Sequence, residues 1–426
     1  MSSSEEESDL SESIKSNQLE DEEVLFNEAI KRQKRAREYL EEIATDGIDA
    51  EQLDKELLGA RVKKDAGVKQ GKFIEAMADK MYLDEHIARR LTKLGRVPTA
   101  VVSSHDSVYV AERGNQIRKV SVKGSVRTNL VLPRRTNILC AAIHSRWLAS
   151  GHADGSVAIW SIENDKMMFC SERLHRASVL SLAFAFNPSD DPPVVTLFSS
   201  SADRSIKLCQ LNEETGELTL LDTLYGHKDA IPSLAVTTSE LCVSAGGRDT
   251  TILGWNLIEE AQLVFRPNAP MNEEHVSMLD AETWVSASSP LDHPNEAMLS
   301  LWIRRKKKPI AYVDALSPVT ALLAMPFSDQ IFTGHMDGCI RRWRASVQER
   351  SLTLLQQIDQ MLPKSCFVNA MTLSEDQDDP QNYTGLIVAF GREPRLGRWV
   401  VSQGVTNSVH LVPLRSRKLE NSFVSQ

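Results

Sequence analysis

The 426-residue chain has no apolar run long enough to span a membrane. Its longest is "VLSLAFAF", Val179 to Phe186, where a spanning helix needs about 20 residues. The first residues, "MSSSEEESDLSES", include no hydrophobic secretory stretch, so an intracellular protein with no membrane partner is expected. Cysteine is scarce and dispersed, at 140, 170, 209, 242, 339 and 366, with no C-x-x-C pair. That spacing excludes a zinc ribbon and a disulfide framework and leaves buried free thiols. No glycine-rich phosphate loop, paired-carboxylate site or metal-ligand cluster stands out. No metal, no cofactor and no small-molecule substrate are therefore expected, and an enzyme is disfavoured.

The net charge of −9 comes almost wholly from one end. Glu5, Glu6, Glu7, Asp9, Glu12, Glu20, Asp21, Glu22 and Glu23 face a single Lys15 within residues 1–23. That segment has too few large apolar groups to offset chain entropy, so it is expected to be a disordered acidic tail. The remainder is close to neutral with local basic clusters, and phosphate responds to the local field rather than to the total.

Residues 24–97 read as a charged helical segment. Leu25, Ala29, Ala36, Leu40 and Ile43 form one stripe, with "KRQKR" (Lys31, Arg32, Lys34 and Arg35 among them) covering much of the other face. Asp49 and Gln52 resemble a capping box before Leu53 and Leu57. Phe73, Met77 and Met81, then Ile87, Leu91 and Leu94, predict a third helical stretch. The stripes are narrow, so the segment is expected to pack on the body of the protein or on a partner.

Beyond Pro98 the texture turns to short β-branched and aromatic runs broken by turn residues, and an internal repeat emerges. "GHADGSVAIW" places Asp154 six residues before Trp160, and "SSADRSIKLC" places Asp203 six before Cys209. "GGRDTTILGW" pairs Asp249 with Trp255 and "GHMDGCIRRW" pairs Asp337 with Trp343. Weaker copies end at Trp302 and Trp399, and a degenerate first copy ends near Val120. The intervals run from 40 to 56 residues, which suits one four-stranded blade per repeat. Ser150, Ser199 and Thr333 lie four residues ahead of their Asp, while His175 and His227 begin their units. This is the WD-repeat pattern, in which Trp, Ser/Thr, His and Asp form a buried hydrogen-bonded chain. In the fourth unit Ala245 occupies the expected Ser/Thr place, so that chain is expected to be broken there. The Ser, His and Asp residues thus read as a structural tetrad rather than a catalytic triad.

The fold class expected is all-β: a seven-bladed WD-repeat β-propeller over residues 98–415, with a short tail at 416–426. A ring must join its ends or expose strand edges. "NSVHLVPL", Asn407 to Leu414, is the only strand-like run after Trp399 and is expected to pair with the first blade.

Three stretches go beyond a generic repeat: "YGHKDAIPSLAV", "CVSAGGRDTTILGWNLIEEAQLVF", and "GREPRLGRW" followed by "NSVHLVPLR". With "KRQKRAREYLEEI" before the propeller, they resemble the WD-repeat propeller subunits of the U3 small nucleolar ribonucleoprotein, over most of residues 24–415. The resemblance implies a nuclear, nucleolar, non-catalytic scaffold that binds the box B/C region of U3 RNA. It also implies a small kink-turn-binding protein, box C/D core proteins and small-subunit processome proteins as partners, in the processing of precursor ribosomal RNA. The alternative is a protein-binding WD adaptor, such as a ubiquitin-ligase substrate receptor or a chromatin scaffold, which rests on the generic repeat and the acidic tail.

Candidate RNA or partner contacts follow from charge and placement. Arg392, Arg395 and Arg398 offer forked donors suited to phosphates or guanine edges. Arg398 precedes Trp399, and strand alternation makes it the most structural of the three. Arg248 stands in the "GGRD" turn. Arg304, Arg305, Lys306, Lys307 and Lys308 form a dense basic loop after Trp302, suited to non-specific phosphate contact or simple solvation. "KRQKR" suits nuclear import, an RNA-facing helix surface, or both.

Overall fold

The computed structural model describes residues 74–416, apart from 105–106, 124–125, 188–193, 239–240, 258, 360–365, 376–382 and 398–399. The acidic tail, most of the expected helical segment with Lys31, Arg32, Lys34 and Arg35, the C-terminal tail, Arg398 and Trp399 lie outside the described residues.

Short strands with alternating burial hydrogen-bond to their sequence neighbours, because connections of two to seven residues within six of the blades leave no other partner so close. Six four-stranded sheets result, each in consecutive order from an inner to an outer strand. Blade 1 comprises Pro98–Ser104, Ser107–Glu112, Gln116–Ser121 and Val126–Val131. The third strands of blades 1 to 6 contain Val120, Trp160, Cys209, Trp255, Trp302 and Trp343, the expected repeat ends.

The seventh sheet departs from that count. Its chain-consecutive strands are Phe367–Glu375, Tyr383–Gly391 and Ser408–Ser416. The outer place is filled by two pieces from far upstream. Met81–Leu83 pairs with Leu414–Ser416, and Arg89–Lys93 pairs with Ser408–Leu411. The C-terminal run therefore joins blade 7, not blade 1, and the N-terminal side closes the ring. Residues 74–94 also correct the helical reading: between the two strands lies only a 3-10 turn, Glu85–Ile87, capped by Asp84. Met81, Leu83 and Leu91 satisfy a strand as well as a helix pattern. The unpaired edge of Ser408–Ser416 settles the choice, since tertiary context overrides weak propensity.

Buried polar groups fasten this strap. Asp329 accepts from the backbone N–H of Met77 and of Ala78, both at 2.8 Å. The buried Arg342 donates to the carbonyls of Ala78 and Met81 at 2.7 and 2.8 Å. Gln356 makes a two-way bond to the backbone of Leu83. Met81 and Leu83 sink into the apolar layer shared with blades 6 and 7, while Leu91 and Leu94 sink into the layer between blades 7 and 1.

Between the other blades, apolar clusters draw on two neighbours at a time. Phe265 of blade 4 meets Trp284 and Trp302 of blade 5 edge-on, at 4.8 and 6.2 Å between centroids. Burying such a ring contributes about 1.5–3 kcal/mol.

Candidate functional site

In blade 4 the Trp255 indole N–H donates to Ser244 Oγ at 2.8 Å. Ser244 Oγ lies 2.8 Å from His227 Nε2, and His227 Nδ1 lies 2.7 Å from Asp249. The tetrad is therefore complete, and Ser244, not the Ala245 position, supplies its hydroxyl. One extra residue in the turn moves Ser244 five places before its Asp. The turn accommodates it with Gly247 at φ +57, and a Cβ on Gly246 would lie 2.2 Å from Asp249 Oδ1.

Blade 3 carries His175 between Asp203 at 3.1 Å and Ser199 at 2.8 Å, with Cys209 in the tryptophan place. Blades 2 and 6 use a different histidine, one that the repeat spacing did not single out. His152 lies 3.0 Å from Ser150 and 2.8 Å from Ser156, which in turn donates to Asp154. His335 lies 2.7 Å from Thr333. The signal was present as Ser-Gly-His and Thr-Gly-His, two residues past the hydroxyl. Burial lowers both imidazoles to about 4. Burial pushes Asp154 and Asp203 up, but hydrogen bonds, chiefly from Ser156 and Ser205, outweigh it and hold both below the usual carboxylate value. In blades 2, 4 and 6 the hydroxyl oxygen accepts from the buried indole of Trp160, Trp255 or Trp343. Ser150, Ser244 and Thr333 are all fully buried.

Among the described residues, blade 5 forms no histidine–aspartate pair of this kind. Trp302 donates to Ser286 at 3.0 Å, and the fully buried Glu273, from the first strand of the blade, lies beside that hydroxyl. Desolvation pushes Glu273 up to about 8, against a lowering hydrogen bond from Ser286.

The arginines near the C-terminus stand in the connection between the second and third strands of blade 7, residues 392–407. This is a long loop, not a tight hairpin, and the third strand begins at Ser408, beyond Trp399. The interval of 56 residues already hinted at the insertion. Arg113 of blade 1, which no repeat spacing marks, holds the loop. It pairs with Glu393 and donates to the carbonyls of Pro394, Arg395 and Gly397.

The loop parts Arg392 from Arg395. Arg392 is exposed, its Nε 3.4 Å from Glu393, while its backbone N–H donates to Asn407 at 2.9 Å. Arg395 turns inward, donates to the Leu180 carbonyl at 3.0 Å, and lines the central cavity of about 290 Å³.

Arg248 is exposed in the same kind of connection, three blades away. Arg304 to Lys308 join the third and fourth strands of blade 5. In an antiparallel sheet that connection lies at the opposite strand end from Arg248 and Arg392. Arg304 is half-buried and the next four residues are exposed; Lys308 donates to the Pro267 carbonyl at 2.9 Å and Arg305 lies 3.6 Å from Glu282. No cluster of three or more His, Cys, Asp or Glu residues able to hold a metal occurs among the described residues.

The family model for the WD domain, G-beta repeat, matches residues 133–161, in blade 2, and 218–256, from the last strand of blade 3 through the third strand of blade 4. An uncharacterized WD repeat-containing protein of Schizosaccharomyces pombe is 28% identical over 93% of this chain and 86% of its own. Ribosomal RNA-processing protein 9 of Saccharomyces cerevisiae is 23% identical over 96% of this chain and 93% of its own. The solved structure of U3-55K superposes with a TM-score of 0.64 at 27% identity, over 80% of this chain and all of that one. The chain is thus a seven-bladed WD-repeat propeller that resembles the U3 small nucleolar and ribosomal RNA-processing WD-repeat proteins along most of its length.

Proposed function

We propose that this chain is a non-catalytic RNA–protein scaffold of the U3 small nucleolar ribonucleoprotein, working in the nucleolus on precursor ribosomal RNA. The observation that carries the reading is the likeness to ribosomal RNA-processing protein 9, which runs through nearly the whole of both chains. In the finer reading, it binds the box B/C region of U3 RNA beside a small kink-turn-binding protein. It then meets the box C/D core proteins and the small-subunit processome.

The geometry favours one end of the strands for that contact. Arg392 and Arg248 leave their guanidinium groups to solvent there, on connections anchored by buried networks, so little order is lost when they meet phosphate. The 304–308 loop offers a second, denser charge at the other strand end, suited to non-specific phosphate attraction.

The test is binding of U3 box B/C RNA, with its kink-turn protein, across a salt series. Arg392→Ala with Arg248→Ala is expected to weaken binding about tenfold and to lower the salt slope by about 1 for each phosphate no longer neutralised, while thermal unfolding stays in place. Unchanged affinity, or a pull-down without U3 RNA, sinks the reading. Leu396, Val400 and Val401 are 49–53% exposed beside Arg392. They favour a second reading in which this loop meets a protein; capture of box C/D proteins without RNA distinguishes it.

A further inference from the structure

The central cavity is walled by the inner strands of all seven blades. Its lining includes one permanently charged side chain, Arg395, and among the described residues no carboxylate. The other titratable groups there carry no balancing charge. Burial pushes the Cys140 thiol up to about 12, so it stays protonated, and its Sγ points to the Val179 carbonyl. Burial pushes His275 down to about 3, with the nearby Arg395 lowering it further, so it stays neutral.

The Arg395 side chain makes one hydrogen bond among the described residues, to the Leu180 carbonyl. A guanidinium offers five N–H donors, and desolvation disfavours its charge. Arg395 is half-buried, so its charge is only partly screened by solvent, and water or an anion in the cavity can take its remaining donors. The side chain does not lie here through slack in the loop: Arg113 clamps three of the loop's carbonyls, and Asn369 donates to the Glu393 carbonyl at 2.9 Å. The volume of about 290 Å³ far exceeds the roughly 30 Å³ of one water.

We propose that the central channel is a binding site for one small oxyanion, a phosphate or a carboxylate, seated on the free donors of Arg395. The planar fork matches either group in two-point fashion, and the neutral His275 can add a further donor. The proposal stands on the channel alone and does not depend on the RNA reading.

The experiment titrates the full chain with inorganic phosphate, and separately with succinate, at constant ionic strength made up with chloride. Phosphate binding is read by ³¹P line width and both anions by the unfolding temperature. Saturable binding in the millimolar range or tighter is expected. Arg395→Gln is expected to weaken it at least tenfold, and Arg392→Gln by less than twofold. Arg395→Lys, which keeps the charge but loses the fork, is expected to fall between and provides the reading if Arg395→Gln does not fold. Preference for phosphate over succinate, or the reverse, identifies the source. Binding that never saturates, or that Arg395→Gln and Arg395→Lys leave unchanged, overturns the proposal.

Discussion

Blades 4 and 7 close the same topological gap, between second and third strands, in opposite ways. Blade 4 uses a six-residue turn held by its own residues and by the connection that leads into the blade. Asp249 accepts from His227, from the Lys228 N–H and from both the N–H and hydroxyl of Thr251. Blade 7 uses residues 392–407 and borrows Arg113 from the neighbouring blade to hold them. The short turn points its arginine, Arg248, only outward. The borrowed one is long enough to send Arg392 to solvent and Arg395 into the channel. A repeat fold thus keeps its frame through local networks and acquires distinct surfaces where a connection escapes them.

Breaking the blade 4 network is expected to have the largest effect. His227 and Asp249 side chains are 0% and 2% exposed, so His227→Ala leaves a buried carboxylate without its main partner. Loss of a hydrogen bond to a charged group costs about 1.5–3 kcal/mol, and denaturant unfolding is expected to show a loss of that order. A loss below about 1 kcal/mol means that the turn does not depend on the tetrad.

Breaking the blade 7 clamp is expected to cost less and to act locally. Arg113 and Glu393 are each 14% exposed, which screens the pair partly, so Arg113→Gln is expected to cost about 1–2 kcal/mol. Hydrogen exchange is expected to rise at Leu396 and Gly397 and to remain unchanged at Ile252 and Leu253 of blade 4. Equal rises in both places would show that the loop is not an independent unit.

The contrast also explains how far the sequence could be read. The Asp-to-Trp interval survives in blades 2, 4 and 6, where turn and indole are tied within one hairpin. In blade 7 the third strand begins only at Ser408, after a long connection, so the interval does not locate it. The repeat spacing also misplaced the hydroxyl by one residue at Ala245, because the glycine pair absorbs an insertion without changing the outcome. Arg113, Asp329 and Arg342 were illegible for another reason. Each acts on backbone atoms distant in sequence, 251 to 284 residues away, and no local pattern records such a partner. Arg395 could be picked out as a candidate but not aimed, since side-chain direction in a long loop is set by whatever clamps it.

A smaller effect separates the two connections by acid. Burial alone pushes Asp249 up, but the bonds from His227 and Thr251 outweigh it and hold its carboxyl below the ordinary value. A depressed folded pKa means that the unfolded chain takes up the proton first as pH falls. The carboxylate's contribution is therefore complete above about pH 4, the unfolded value, and disappears as pH drops through the lower folded one. Asp249→Asn removes that titration. The stability gap between the native chain and this variant is expected to be constant from pH 7 to about 5 and to narrow below about 4. The same scan on Arg392→Ala, whose site lies in the exposed part of the blade 7 loop, is expected to run parallel to the native curve throughout. A gap for Asp249→Asn that stays constant down to acid unfolding would mean that the carboxylate is not held ionised by its neighbours, and the difference between the two connections would reduce to loop length alone.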